Sequence, residues 1–424
     1  MAITGGQRPL ARFAGSRLAP LLNQSSLLRA LSRPVQRFRP ILSLGGRVIV
    51  TRHADVVEVL RRDDDFTVAE VNGAAMDRVN GPFVLGMDRT EQYLREKHIL
   101  QQALRPDDID RMGAFVRQTA TALVEAAEPS GTIDVVQGLA RPVAVRMVAT
   151  FFGIAGPDEA TMLRWMRTIF HETFLNVGGD PGVRRKGERS AAELHSFTDE
   201  LIAARQQAIA GGAPVFDDFL TRLVRFQRDP ELCLSDEGIR RNLGGVVVGA
   251  VETTAKAVAS AVDELLRRPA ALESAGEAAA AGDIDAVRAH VLEALRFSPL
   301  NPVLSRHAAR ASVLAAGTRR EHQVPAGRQV YAAILPAMFD PSVVDDPESF
   351  RTDRPASAYL HFGHGLHACF GERINLVQLP EVVGALIAGH QVNRAPGRAG
   401  RLVYDGPFPD RLVVELVRRP ATAP

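Results

Sequence analysis

The stretch HFGHGLHACFG, residues 361–371, decides how this chain is read. It holds three histidines, three glycines, two phenylalanines and one of only two cysteines in the chain. The following ERINLVQL reads as a helix. A loop that delivers a cysteine into a helix N-terminus is expected to lower the thiol's pKa, because the positive end of the helix dipole favours the thiolate.

Three uses of such a loop compete. A free cysteine is most often a small buried hydrophobe, and glycines most often mark turns. Zinc is a second use, since His361, His364, His367 and Cys369 are all ligand types, but it leaves the glycines and Phe362 unexplained. The third is a haem iron held by a thiolate. Backbone N–H groups must then point at the sulfur, and a loop lying close to a flat macrocycle needs residues without Cβ. Gly363, Gly365 and Gly371 meet that need. A thiolate axial ligand favours O–O cleavage.

The chain has 424 residues, enough for one large domain or two to three smaller ones, and 46% are hydrophobic, enough for a sizeable core. A net charge of +2 is too small for a nucleic-acid surface, and no basic tract is interleaved with aromatics. Cys233 and Cys369 lie far apart and form no CxxC pair, so a reducing, cytoplasmic compartment is expected. Residues 1–40 contain seven arginines (8, 12, 17, 29, 33, 37, 39) and no acid. No apolar run there approaches the ~20 residues that span a bilayer. A surface-lying extension is the plain reading of residues 1–44. Weak membrane association and docking of an acidic partner are the alternatives.

Helical periodicity dominates: residues 53–62, 110–128 and 191–209 carry apolar residues at three- and four-residue spacing. Residues 235–269 give the longest helix, with Ser235 as N-cap and apolar residues nearly all round its middle, the pattern of a central buried helix. Valine-rich strands are expected at 47–51, 328–335 and 411–417. Residues 174–190 read as an exposed, mobile helix connection. The fold class is mainly α with a small β subdomain.

Three further stretches carry chemistry. GAVETT, residues 249–254, puts Glu252 beside Thr253 in the buried helix. An acid there is costly unless used, and Thr can bend a helix by bonding the carbonyl four residues back. The functional reading is a local distortion that admits a small ligand, with Glu252 and Thr253 relaying protons. Glu293 and Arg296 share a helix face at i,i+3 spacing, and Arg354 in PESFRTDRP is placed to reach them.

Together these residues resemble the cytochrome P450 family. Phe362, Gly365, Cys369 and Gly371 match its loop pattern F-x-x-G-x-x-x-C-x-G, with the frequent His at 367. Glu293 and Arg296 match E-x-x-R, and Gly249, Glu252, Thr253 and Thr254 match the distal helix pattern. The resemblance covers residues 45–418, read as one haem domain after the basic extension 1–44. It implies a triangular helical prism with haem b between the long helix and the Cys loop, and O2 as co-substrate. Cys369 becomes the axial thiolate and metal ligand, with Phe362, Gly363 and Gly365 beside the cofactor. His367 and Arg306 become propionate contacts, and Glu293, Arg296 and Arg354 a structural triad.

The chain departs from the pattern in places. Ala250 stands where the family usually has Gly beside bound O2. The family's H-x-x-x-R propionate pair falls on Gln92 and Glu96, which fails. A shift of one residue gives Tyr93 and Lys97, an i,i+4 donor pair, with Arg95 and His98 as fallbacks. Pro380 is expected to kink the helix after Cys369.

The resemblance implies a monooxygenase of bacterial, soluble type. The chain lacks the four or so cysteines of an iron–sulfur cluster, so a separate ferredoxin and an NAD(P)H-dependent reductase are implied. Arg373 would face an acidic ferredoxin. Two other readings are a peroxygenase or rearranging haem-thiolate enzyme and a non-catalytic haem sensor; the intact Glu252–Thr253 pair argues against both. By family analogy Val71, Met76, Val79, Phe83, Val246, Val247, Leu300, Val303, Leu304 and Phe408 line the substrate pocket. A small to medium apolar molecule suits that lining, with Asn80 and Asn301 as hydrogen-bonding groups.

Overall fold

The computed structural model describes residues 25–176, 178–406 and 408–419. Residues 1–24 of the basic extension lie outside them. The chain folds as two compact units. One takes Val68–Arg105 and Val148–Glu252, and the other takes Leu28–Thr67, Pro106–Met147 and the chain from Thr253 onward.

The second unit holds a five-stranded sheet. Its strands are β1 (Ile41–Leu44), β2 (Arg47–Val50), β3 (Phe66–Thr67), β4 (Leu304–Ala308) and β5 (Gln329–Ala332), in the order β1-β2-β5-β4-β3. Gly45 and Gly46 join β1 to β2 at φ of 50° and 90°, the positive values that a two-residue hairpin turn demands. β2 and β5 pair in parallel, with Arg47 opposite Gln329, and β4 runs antiparallel to β5. Alternate valines and the aromatics behind them (Val48, Val50, Phe66, Phe297, Val330, Phe339) bury one continuous core.

Helix Pro106–Ala127 packs along helix Glu372–Ile387, the helix that follows the Cys loop. The two approach closely because Gly113 has no side chain; a Cβ there would sit 3.1 Å from Val377 Cγ1. Arg117 clamps the pair, giving Glu381 a two-point contact at 2.8 and 2.6 Å. The helix runs on through Pro380.

In the first unit, helix Glu91–Ala103 is tied to the first half of the long helix Asp236–Leu265. Glu96 accepts from both Arg241 terminal nitrogens and from Asn242 Nδ2, the last at 2.9 Å. Burial acts to raise the Glu96 pKa, but these donors hold it below the usual range. Gly244 and Gly245 have a packing reason. A Cβ on Gly244 would lie 2.7 Å from Asn80 Oδ1, and one on Gly245 would lie 2.5 Å from the Phe83 ring. Asn80 Nδ2 donates to the Arg241 carbonyl at 2.8 Å, locking the segment after helix Ala74–Val79 onto the long helix.

Two expectations need correction. Residues 181–190 are not a loop: the helix expected at 191–209 begins at Pro181 and ends at Ala210. Asp180 caps it, its Oδ1 accepting from Gly182 and Val183 N–H at 2.7 and 3.0 Å, with Pro181 supplying the fixed φ of a first helical residue. The long helix shows no break at 249–254: residues 236–265 form one α-helix, with Ser235 Oγ accepting from Gly238 N–H at its start. Ala250 favours the helix by about 1 kcal/mol over a glycine, and Val246, Val247, Val248, Val251 and Ala255 are packed on its buried sides.

Candidate active site

The Cys369 loop belongs to the second unit and is shaped by its glycines. Gly363 and Gly365 adopt φ of 72° and 74°, values that favour glycine. Gly365 is pressed onto helix His53–Arg61, where a Cβ would lie 2.4 Å from the Leu60 carbonyl oxygen. The Cys369 N–H donates to the Phe362 carbonyl at 2.8 Å, closing the loop. The Gly371 N–H reaches back to the sulfur.

The Cys369 residue is exposed at its surface, yet loop atoms crowd the sulfur enough for desolvation to dominate its titration. Burial pushes the thiol pKa up, the Gly371 N–H pulls it down, and Glu372 pushes it up again. The expected lowering by the helix N-terminus is therefore overturned for the protein alone. A bound cation is what makes such a thiol a thiolate.

The nearby histidines have other duties. His361 Nε2 lies 2.9 Å from the Leu292 carbonyl, its ring stacks on Tyr359 at 5.2 Å, and burial pushes its pKa down to about 4. His364 Nε2 accepts from Arg61 Nε at 2.7 Å. Among the described residues no cluster of three or more His, Cys, Asp or Glu could hold a metal ion. The zinc reading fails on this geometry. A single accessible sulfur, an N–H aimed at it and a glycine-built loop fit a haem-thiolate ligand.

Behind the loop sits a buried ion-pair hub. Arg296 forks onto Glu293 at 2.9 and 2.7 Å, both side chains fully buried. Arg354 Nε reaches Glu293 Oε1 at 3.2 Å, and Tyr359 Oη reaches Oε2 at 3.2 Å. The remaining guanidinium N–H groups cap chain carbonyls: Arg296 serves Met338, Pro347 and Ser349, and Arg354 serves Asp345, Asp346 and Ser349. The hub therefore fixes the segment that leads into the Cys loop. Arg306 is buried on β4, with Nη1 donating to the Ser305 carbonyl at 2.9 Å. His367 ends the short turn Gly365–His367 and is half-buried.

The long helix keeps one strip accessible. Gly245, Gly249, Ala250, Thr253 and Lys256 are half-buried, while residues 246–248, 251, 252, 254 and 255 are buried. Apart from the adjacent Gly249 and Ala250, they follow one another at three or four residues, which defines one helix face. Nothing lies within 4 Å of a Cβ built on Gly249. The two threonines differ: Thr254 is buried and its Oγ1 accepts from Gln378 Nε2 at 2.8 Å, whereas Thr253 lies on the accessible strip.

Lys256 shares that strip, a feature that carried no signal in the sequence. Burial pushes its pKa down to about 8 from 10.5. Below pH 8 the folded protein bears the full cost of holding the charge. Between 8 and 10.5 the unfolded chain binds a proton that the folded one has released, so stability rises with pH. Lys256→Met is therefore expected to stabilise the protein by about 1–3 kcal/mol at pH 7, with the gain shrinking toward pH 10.5. Denaturant unfolding at several pH values measures this; a gain independent of pH would contradict it.

In the first unit Tyr93 is buried, and Lys97 Nζ lies 3.0 Å from its hydroxyl, so the two form the neighbouring pair their spacing implies. Gln92 Nε2 donates to Glu96 at 3.0 Å, which accounts for both residues that failed the propionate pattern. Of the fallbacks, Arg95 is committed to the Cys233 carbonyl. Met76, Asn80 and Phe83 line a small apolar cleft with Gly245, Val248, Ile169, Thr173 and Phe174. Val79 and Val247 are buried beside it in sequence without lining it, and Val71 is half-buried. Ile169, Thr173 and Phe174 were not anticipated, because they come from the end of helix Glu159–Phe170 and the turn after it, where no motif marks them. In the second unit Phe408 is buried, Leu300 and Leu304 are half-buried and Val303 is exposed.

The family described as Cytochrome P450 matches residues 38–413. The chain is 24% identical over 367 residues to a steroid C26-monooxygenase of Mycolicibacterium smegmatis, covering 86% of this chain and 84% of that one. It is 27% identical over 345 residues to the erythromycin C-12 hydroxylase of Saccharopolyspora erythraea, covering 79% and 80%. Among solved structures it resembles CalO2, with a TM-score of 0.80 at 22% identity over 96% of this chain and 98% of that one. It also resembles P450BioI in complex with a hexadec-9Z-enoic acid ligated acyl carrier protein, with a TM-score of 0.77 at 18% identity over 93% and 98%.

Proposed function

This chain belongs to the cytochrome P450 family of haem-thiolate monooxygenases, and from that premise we propose that it inserts one oxygen atom of O2 into a medium-sized apolar substrate, with electrons from a ferredoxin and its NAD(P)H-dependent reductase. A bound haem b held by a cysteine thiolate would supply the activation of O2 and the cleavage of its O–O bond.

The observation that carries the reading is the Cys369 loop, with its accessible sulfur and the Gly371 N–H aimed at it. Cys369 would hold the iron through its thiolate. Phe362, Gly363 and Gly365 keep the loop low enough to lie against the macrocycle. His367, Arg306, Tyr93 and Lys97 serve the propionates as charged or hydroxyl donors. Ala250 and Gly249 leave room on the long helix, and Glu252 and Thr253 move a proton to the distal side through the Thr253 hydroxyl. Thr254 takes no part, because its hydroxyl is held by Gln378. The haem domain begins before the expected residue 45, since β1 (Ile41–Leu44) is a strand of the five-stranded sheet and the family match starts at residue 38.

The substrate class rests on two supports. The cleft of Met76, Phe83, Ile169, Phe174 and Val248 is apolar with two polar groups, Asn80 and Thr173. The relatives are named for a steroid and a macrolide. A steroid- or polyketide-like molecule accords with the relatives' names and with secondary metabolism in a cytoplasmic bacterial enzyme; the cleft, too small here to hold such a molecule, contributes only the apolar character of its lining. Reconstitution with a ferredoxin, its reductase and NAD(P)H, fed from a terpenoid, steroid and polyketide library, tests the reading. Oxygenated product that requires both O2 and NAD(P)H is expected. Turnover with peroxide alone would favour a peroxygenase instead.

A further inference from the structure

Helix Ser25–Phe38 is amphipathic, but it is mounted with its apolar face outward. Its inner side is polar. Gln36 is buried and donates to the Thr51 and Pro336 carbonyls at 2.9 and 2.7 Å. The Arg29 guanidinium lies over the Phe297 and Phe339 rings, 5.1 and 4.5 Å from their centroids. Arg33 pairs with Glu348. Leu28 adds an apolar contact to the core from this helix. These attachments fix the helix rotation, so the outward face is built in.

That outward face is Leu31, Pro34 and Phe38, spaced three and four residues apart and all exposed. Leu31 is 62% exposed and Phe38 74%. Arg37 and Arg39 flank the tip, with the Arg37 guanidinium 5.7 Å from the Phe38 ring centroid. A charged arginine beside an exposed aromatic suits a boundary where one side is apolar and the other wet.

Charge selects the occupant. Arg37 and Arg39 border the face and residues 25–40 contain no acid, so a second copy of this chain docking here by twofold symmetry would set like charges against each other. The apolar residues run along one side of a helix, in the manner of a helix that lies in a membrane interface with a cationic border. We propose that this face docks on an anionic lipid surface, with Leu31, Pro34 and Phe38 inserted among the acyl chains and Arg37 and Arg39 on the headgroups. The contact is peripheral. Among the described residues, the two segments apolar enough to span a bilayer, Val135–Phe152 and Asp236–Leu265, are core helices, with 72% and 67% of their apolar window buried.

The test is sedimentation of the full-length haem-loaded protein with vesicles. Binding is expected to an equal mixture of phosphatidylcholine and phosphatidylglycerol, with release as salt shortens the reach of the charges, and none to phosphatidylcholine alone. Leu31→Ser/Phe38→Ser is expected to cut the bound fraction about tenfold while leaving the carbon monoxide spectrum unchanged, since neither residue touches the site. Failure of the wild type to bind anionic vesicles would overturn the proposal, as would equal binding by the double variant. A stable dimer that the double variant dissociates would assign the face to a second copy, and would also overturn it.

Discussion

Glu293→Gln is expected to lower stability by about 3–5 kcal/mol and to release the haem on mild heating. Glu293 and Arg296 are both fully buried, and Arg354 is nearly so. Removing the one carboxylate leaves two guanidinium charges facing each other out of water. Replacing such a cluster with packed hydrophobes can be neutral, but breaking it on one side is not. Gln keeps the shape of Glu, so the loss reports charge and not a cavity. It also unsettles the Arg351 N–H and the Tyr359 hydroxyl, which both bond the same carboxylate. Burial acts to raise the Glu293 pKa, yet Arg296 and Arg354 hold it below the usual carboxylate range. Its stabilising share is therefore full above the unfolded carboxylate pKa, about 4.3, and is lost as the pH falls through the lower folded value. The gap between wild type and Glu293→Gln should narrow in acid. Denaturant midpoints and haem retention measure both points, and a loss under about 1 kcal/mol at pH 7 would contradict a stabilising role for the hub.

Thr253→Ala is expected to cut product formed per NAD(P)H by about tenfold or more, within the range that a positioned acid–base group contributes. NAD(P)H consumption should continue, with the missing electrons appearing in hydrogen peroxide. Thr254→Ala is the control. Its hydroxyl accepts from Gln378 in the buried core, so its removal should cost about 1 kcal/mol of stability and leave coupling unchanged. Thr253→Ser should retain most of the coupling. Unchanged coupling in Thr253→Ala, or equal losses in both alanine variants, would sink the assignment of the relay to Thr253.

Much of the molecule was legible because local chemistry and tertiary packing agree. The capped, continuous pattern at 235–269 gives the helix Asp236–Leu265, and the valine runs give β2, β5 and the strand Val413–Arg418. Glu293 and Arg296 were nearly silent by themselves, since an i,i+3 pair is usually solvated; only their order with the Cys loop marked them. Residues 181–190 were misread because glycines and charges masked the Asp180–Pro181 start signal. Gln92 and Glu96 looked like a broken motif. Their role became visible only once Arg241, far away in sequence, was seen to occupy the carboxylate. The outward-facing Leu31 and Phe38 could not be read from periodicity, which shows that a helix is two-sided but not which side faces in.

The most direct test of the central claim is the visible spectrum of the purified, reduced protein under carbon monoxide. A strongly red-shifted Soret band that disappears in Cys369→His is the predicted result, because only a thiolate from this loop would produce it. A band at the position typical of histidine- or thiol-ligated haem in the wild type, or no bound haem, would contradict the assignment of Cys369 as the iron's axial thiolate.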